Sequence, residues 1–156
     1  MLGVLGMRSA KWFLLAGLLV LLDQVIKFFV VLYAPRGQWI FYVQNTGATF
    51  GLFAGANSVL AALSVVALFL LGYFLVRASG YEALGLSLVF AGVFGNFVDR
   101  LLRGFVVDMF RIGSFPVFNV ADVLIVSGVL LLVLLEVPVV RKYLQNSSSR
   151  SSKSSK

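Results

Sequence analysis

The chain contains no cysteine and no histidine, and only three prolines, among its 156 residues. Without cysteine there is no disulfide framework, no thiol nucleophile and no zinc finger, and without histidine there is no Ser-His or Cys-His pair. Charge is scarce as well: Asp, Glu, Lys and Arg together make up 12%, about half the usual ~25% of a soluble domain. What is present is apolar. Hydrophobic residues are 60% of the chain, and fifteen glycines add to them. A water-soluble globule of this size could not cover that much apolar surface with so few charges, and a disordered chain would not carry it. Any chemistry must use six acids, thirteen bases, amides, hydroxyls or backbone.

The net charge of +7 invites a nucleic-acid reading, but its distribution argues against one. Arg141, Lys142, Arg150, Lys153 and Lys156 lie in the last sixteen residues, and the other bases flank apolar runs. That is the pattern of membrane orientation. Nucleic acid is therefore not an expected partner.

Four stretches approach the ~20 apolar residues that cross ~30 Å of hydrocarbon. They are Trp12 to about Tyr33, Val59 to Val76, Ala83 to about Val98, and Val123 to about Val140. The expected fold is an all-α membrane protein of four transmembrane helices, with residues 1–145 as a single domain and a polar, disordered tail over 146–156. The first apolar run lacks a small-x-small cleavage site before Asp23 and is read as a retained helix. Arg8, Lys11, Arg77 and the five C-terminal bases fall on one side. Arg36, Arg100, Arg103 and Arg111 fall on the other. The more basic side stays cytoplasmic, so both termini are expected inside, with segments 34–57 and 100–121 outside.

The acids are badly placed for a passive anchor. Glu82 and Glu136 sit at the inner helix ends, beside Arg77 and beside Arg141 and Lys142, where they can reach water. Asp23, Asp99, Asp108 and Asp122 can all converge near the outer surface, and an intramembrane carboxylate is costly enough for its position to be informative. Each also has a structural reading. Asp23 and Lys27, spaced i,i+4, can form an ion pair that fixes helix packing. Asp99, at a helix C-terminus, is expected to be compensated by Arg100 and Arg103. Asn119 or Asp122 can cap the fourth helix, though capping is expected to account for only one of them. Gly85, Gly92, Asn96, Asp99 and Arg103 share one helical stripe, whose small residues admit a close neighbour.

With no histidine or cysteine, the protein-borne hydrolytic chemistry left is a carboxyl pair. Two close aspartates share a proton, so one acts as base and the other as acid at the same pH. Magnesium binding is the alternative for the same acids, less favoured because Asn, Arg and Lys surround them.

Four stretches together resemble the lipoprotein signal peptidases (signal peptidase II), bacterial integral-membrane aspartic peptidases. They are DQVIK (Asp23 to Lys27), NTGATFG (Asn45 to Gly51), GNFVDRLLRGFVVDMF (Gly95 to Phe110) and FPVFNVAD (Phe115 to Asp122). The resemblance implies that Asp108 and Asp122 are the catalytic aspartates. It implies that Asn96, Asp99, Arg100 and Asn119 support them, and that Asp23, Lys27 and Asn45 frame the site. Thr49 and Val123 depart from residues common in the family, without touching the acids. The resemblance further implies a prolipoprotein substrate whose cysteine carries diacylglycerol, cut just before that cysteine. It implies no cofactor, a location in the bacterial cytoplasmic (inner) membrane beside its lipids, and inhibition by globomycin-type cyclic peptides; a monomer suffices. A small extracytoplasmic sheet platform is implied for 34–57, where Trp39, Phe41, Tyr42, Phe50 and Phe53 also suit interfacial anchoring. A small transporter and a non-enzymatic assembly factor are the competing classes. A transporter should place polar groups toward both membrane faces, and the second span offers only Ser64 and Tyr73.

Overall fold

The computed structural model describes residues 2–33, 40–47 and 56–137. Along them run α1 (Leu2–Tyr33), β1 (Ile40–Asn45), α2 (Asn57–Arg77), α3 (Gly80–Arg103), β2 (Val106–Phe110) and α4 (Val120–Glu136). Trp39, Thr49, Phe50, Phe53 and the polar tail lie outside the described residues.

Within α1, α2 and α3 are segments long and apolar enough to cross a membrane. α4 has 17 residues, about 25 Å of helix at 1.5 Å per residue, and no charge between Asp122 and Glu136. Large apolar side chains stand open on the helix surfaces, among them Phe69 at 77% and Leu102 at 76% exposure. Hydrocarbon rather than water is the solvent that such a surface fits.

Two boundaries depart clearly from the sequence expectation: the first helix begins at Leu2, well before Trp12, and the third runs on at its far end. The third helix does not end near Val98 but runs on to Arg103, where Gly104 takes the left-handed conformation (φ 78°) that ends it. The extra turn is stable because Asp99 faces inward and Arg103, four residues on, bonds it.

α3 is the central helix, packed against α1, α2 and α4. Its glycine stripe makes the tightest of these joints. A Cβ at Gly85 would lie 2.8 Å from Leu132 Cγ, one at Gly92 would collide with the Ala121 carbonyl and Ile125, and one at Gly128 of α4 would lie 2.6 Å from the Gly85 carbonyl. Helices in lipid gain association energy from this close packing, since apolar burial alone does not distinguish a helix from a lipid tail. At one end Leu75, Ala83 and Leu86 pack with Trp12, Phe13, Leu71 and Leu132. At the other, Val30, Val107 and Met109 pack with Ile26, Phe105 and Phe110, tying the sheet to α1.

The two strands pair antiparallel, with Val43 opposite Asp108 and Asn45 opposite Val106. Side chains alternate faces along a strand, so Asn45 and Asp108 share a face. The segment before α4 joins the same sheet: the Met109 and Phe110 N–H groups donate to the Phe118 carbonyl, and the Phe118 N–H donates back to Phe110. That bridge sets Asn119 beside Asp108.

Candidate active site

All nine residues singled out in the sequence gather at one end of the bundle. α1 supplies Asp23 and Lys27, β1 Asn45, α3 Asn96, Asp99 and Arg100, β2 Asp108, and the start of α4 Asn119 and Asp122. Asn45, Asn96, Arg100, Asp108 and Asp122 line one cavity of about 730 Å³. Its apolar wall includes Val93, Ile125 and Val126.

Both cavity carboxyl groups are held by neutral donors. Asp108, 3% exposed, accepts from the Asn119 side-chain amide at 2.6 Å on one oxygen and from Asn45 at 2.9 Å on the other. Asp122 accepts from the Asn96 amide at 2.9 Å and from the Asn119 backbone N–H at 3.1 Å. Burial pushes the Asp108 carboxyl up to about 6; the Asp122 charge adds to the rise, while the bonds from Asn45 and Asn119 and the Lys27 charge oppose it. Among the described residues, no group of three or more carboxylates is gathered to hold a metal ion.

Asn119 and Asp122 form a complete capping box at the start of α4. The expectation that capping accounts for only one of them is thereby corrected. The N-cap side chain and the residue three positions on satisfy each other's backbone donors, and each keeps a further atom for the cavity.

Behind the cavity lies a second, deeper polar layer. Lys27 is fully buried, with its ammonium 2.9 Å from Asp23 and 2.9 Å from Asp99. A buried cation needs this enclosure, because each ion loses several kcal/mol of hydration (on the order of the Born cost after relaxation) on leaving water. Asp99 also bonds Arg103 and accepts from the Val107 N–H at 3.1 Å, tying the end of α3 to β2. Asp23 accepts from the Ala121 N–H at 3.0 Å, tying α1 to the first turn of α4. Gly95 lets α1 come this close, since a Cβ there would lie 2.6 Å from Asp23 Oδ2.

Arg100 and Arg103 are both expected from the sequence to compensate Asp99, and they do so differently: Arg100 acts on it only through space. Its guanidinium donates to the Asn96 and Gly47 carbonyls, each at 3.4 Å, and stands within electrostatic reach of Asp122, Asp108 and Asp99. Arg103 makes the contact instead, because a helix places i+4 over i while i+1 points 100° away.

Sequence reasoning missed Gln24. Its amide N–H donates to the Gly95 carbonyl at 3.1 Å and to Asp99 at 3.3 Å, and its carbonyl accepts from Arg103 at 3.1 Å. The available signal was an uncharged amide inside an apolar span, beside an acid.

A helical bundle with lipid-compatible outer faces and paired carboxyls in a cavity at one end defines a membrane enzyme, and solved structures agree. The chain resembles a bacterial membrane enzyme determined by the in meso method, with a TM-score of 0.73 and 28% identity over 90% of this chain and 91% of that one. A second such structure matches at TM-score 0.73 and 29% identity, covering 83% and 94%. A family model described as signal peptidase (SPase) II matches residues 15–137. The lipoprotein signal peptidase of Syntrophomonas wolfei is 39% identical over 129 residues, 76% of this chain and 87% of its own length. That of Gloeothece citriformis is 38% identical over 148 residues, covering 85% and 92%. The chain belongs to the signal peptidase II family.

Proposed function

We propose that this protein is an aspartic endopeptidase that removes the signal peptide from prolipoproteins, cleaving before a diacylglyceryl-modified cysteine, with Asp108 and Asp122 as the dyad. The observation that carries this is the pair itself: two carboxyls on one cavity wall, each oriented by two neutral donors, with Asp108 pushed up to about 6. A pair in which one acid keeps its proton up to about pH 6 and its neighbour can take one supplies acid and base together.

The chemistry follows from that asymmetry. Asp122, acting as the base, takes a proton from a water in the cavity as the water oxygen attacks the scissile carbonyl. Asp108 gives its proton to the carbonyl oxygen, so a tetrahedral diol forms without a free oxyanion. As the diol collapses, Asp122 passes its new proton to the amide nitrogen and Asp108 recovers one from a diol hydroxyl. The C–N bond breaks, leaving the signal peptide as a carboxylic acid and the lipidated cysteine with a free amino group. The side-chain and backbone N–H groups of Asn45, Asn96 and Asn119 hold both carboxyls at fixed angles throughout, which limits reorganisation during proton transfer.

The bundle is read as crossing the bacterial cytoplasmic membrane four times, with both termini inside and the cavity at the extracytoplasmic face. The alternation of helix directions supports this reading, since α1 and α3 end, and α2 and α4 begin, at the cavity end. An apolar wall beside a polar dyad suits a substrate that is part lipid and part peptide, with membrane lipids as its solvent. The mechanism uses residues of one chain and no cofactor, so a monomer suffices, and a globomycin-type peptide would compete for the same cavity.

The test is cleavage of a diacylglyceryl-cysteine precursor by parent, Asp108→Asn and Asp122→Asn enzymes, all folded and inserted in the membrane. Loss of cleavage by both variants is expected. Retained cleavage by both would remove the dyad.

A further inference from the structure

Lys27 touches neither dyad acid, yet it reaches one of them through a single side chain. Its ammonium donates to Asn96 Oδ1 at 3.0 Å, and that oxygen also accepts from the Asn119 amide at 3.2 Å. The other end of the Asn96 amide, Nδ2, donates to Asp122 Oδ1 at 2.9 Å. A primary amide can turn over, exchanging its oxygen and nitrogen with little change of shape. Here it cannot do so cheaply. Turned over, Asn96 would face its N–H groups toward an ammonium, which has donors only, and toward another amide N–H, while its oxygen would face a carboxylate.

We infer that Lys27 is a positioning residue for the peptidase reaction: its buried ammonium fixes which way the Asn96 amide points, so that Asn96 donates to Asp122 while Asn119 donates to Asp108. This rests on the dyad reading above. Lys27 is itself held from two helices, by Asp23 of α1 and Asp99 of α3. The ion cluster behind the cavity thereby sets the polarity of the neutral layer in front of it. Lys27 is 0% exposed, so no water competes for the Asn96 oxygen from that side. Asn119 needs no such device, because its own oxygen is committed to the Asp122 N–H at 2.9 Å.

The charged groups facing this network are Asp23 on α1, Asp99, Arg100 and Arg103 on α3, Asp108 on β2 and Asp122 on α4. Turning Asn96 over takes its N–H from the base and sets an amide oxygen against it, and a hydrogen bond to a carboxylate favours the charged form. The acid limb of the pH–rate profile, where the base loses its charge, therefore moves to higher pH.

The experiment compares the pH dependence of kcat and KM for parent, Lys27→Gln and Lys27→Arg enzymes on one diacylglyceryl-cysteine peptide in detergent. Glutamine can donate or accept, so it lets Asn96 turn. Arginine has donors only and should keep the parent orientation. Lys27→Gln is expected to lower kcat about tenfold, leave KM near the parent value and move the acid limb up by about half to one pH unit. Lys27→Arg should restore the limb. Since Lys27→Gln strands part of a buried charge cluster, Asp23→Asn/Lys27→Gln is run beside it. That pair removes one charge of each sign and leaves Asp99 to Arg103. Parent limbs in a folded Gln variant, or failure of both variants to fold, would overturn the inference and leave Lys27 a folding residue. Asp108→Asn and Asp122→Asn in the same series separate the two readings. If they still cleave, the dyad is wrong. If they are inactive while Lys27→Gln keeps the parent limbs, only the positioning role is lost.

Discussion

Asn119 and Asp122 bond each other twice across the first turn of α4: the Asp122 N–H donates to Asn119 Oδ1 at 2.9 Å, and the Asn119 N–H donates to Asp122 Oδ2 at 3.1 Å. The helix cap thereby fixes Asp122, whose carboxyl lines the cavity. Asn119 has a second duty, since its amide also donates to Asp108 at 2.6 Å.

The two duties separate by substitution. Asn119→Ala loses both, and is expected to cost about 1 kcal/mol of stability as a lost cap together with most of the activity. Asn119→Ser keeps an N-cap oxygen but is too short to supply the amide to Asp108. Thermal unfolding in detergent should find the Ser variant near the parent, while its cleavage rate stays at least about tenfold low. Equal activity of parent and Ser variant would detach Asn119 from Asp108.

The rate should fall as pH rises through the Asp108 value of about 6, because burial holds a proton there that solvent then removes. Asn45 donates to this carboxyl and favours its charged form. Asn45→Ala therefore raises the value, and the alkaline limb is expected to move upward by about half to one pH unit. A downward shift in the pH–rate profile would contradict the assigned direction.

Asp99 anchors Lys27, Arg103, Gln24 and the Val107 N–H at once. Replacing it by Asn leaves a buried cation short of its partner, at a cost of about 3 kcal/mol. Denaturant unfolding should register that loss. The surviving enzyme should still cut the same bond, as mass analysis of the product would read. Cleavage at a different bond would mean that Asp99 takes part in the reaction.

Orientation is open to direct measurement because the chain has no cysteine. Ile112, 69% exposed beyond β2, and Ser79, exposed between α2 and α3, should lie on opposite membrane faces. In intact cells a membrane-impermeant thiol reagent is expected to label Ile112→Cys and to spare Ser79→Cys until the membrane is opened. The reverse pattern would invert the orientation.

Three of the four expected spans were legible because hydrocarbon imposes one rule, and the stretch from Val59 to Val76 carries no charge at all. The meeting of Asp23 with Lys27 was legible from local helix geometry. The end of α3 was not, because Asp99, Arg100 and Arg103 look like an exit to water when their partners on α1 and β2 are unknown. The task of Gln24 was hidden for the same reason: its partners Gly95, Asp99 and Arg103 lie more than seventy residues away along the chain. The capping box was half legible. Residue types permit a cap, but only the bridge from Phe118 to Phe110 brings Asn119 within reach of Asp108 as well.

The glycine joint between α3 and α4 works as a gauge. At Gly85, Gly92 and Gly128 the backbone of one helix lies against carbonyls and the Leu132, Ile125 and Val89 side chains of the other with no room for a Cβ, so the joint has little slack to take up. Asn96 is one turn beyond Gly92, and Asp122 rides on the turn that Gly92 touches. The reach from amide to acid is thus inherited from a contact that performs no chemistry, and a single added methyl group there would be felt at the cavity before it was felt anywhere on the lipid-facing surface.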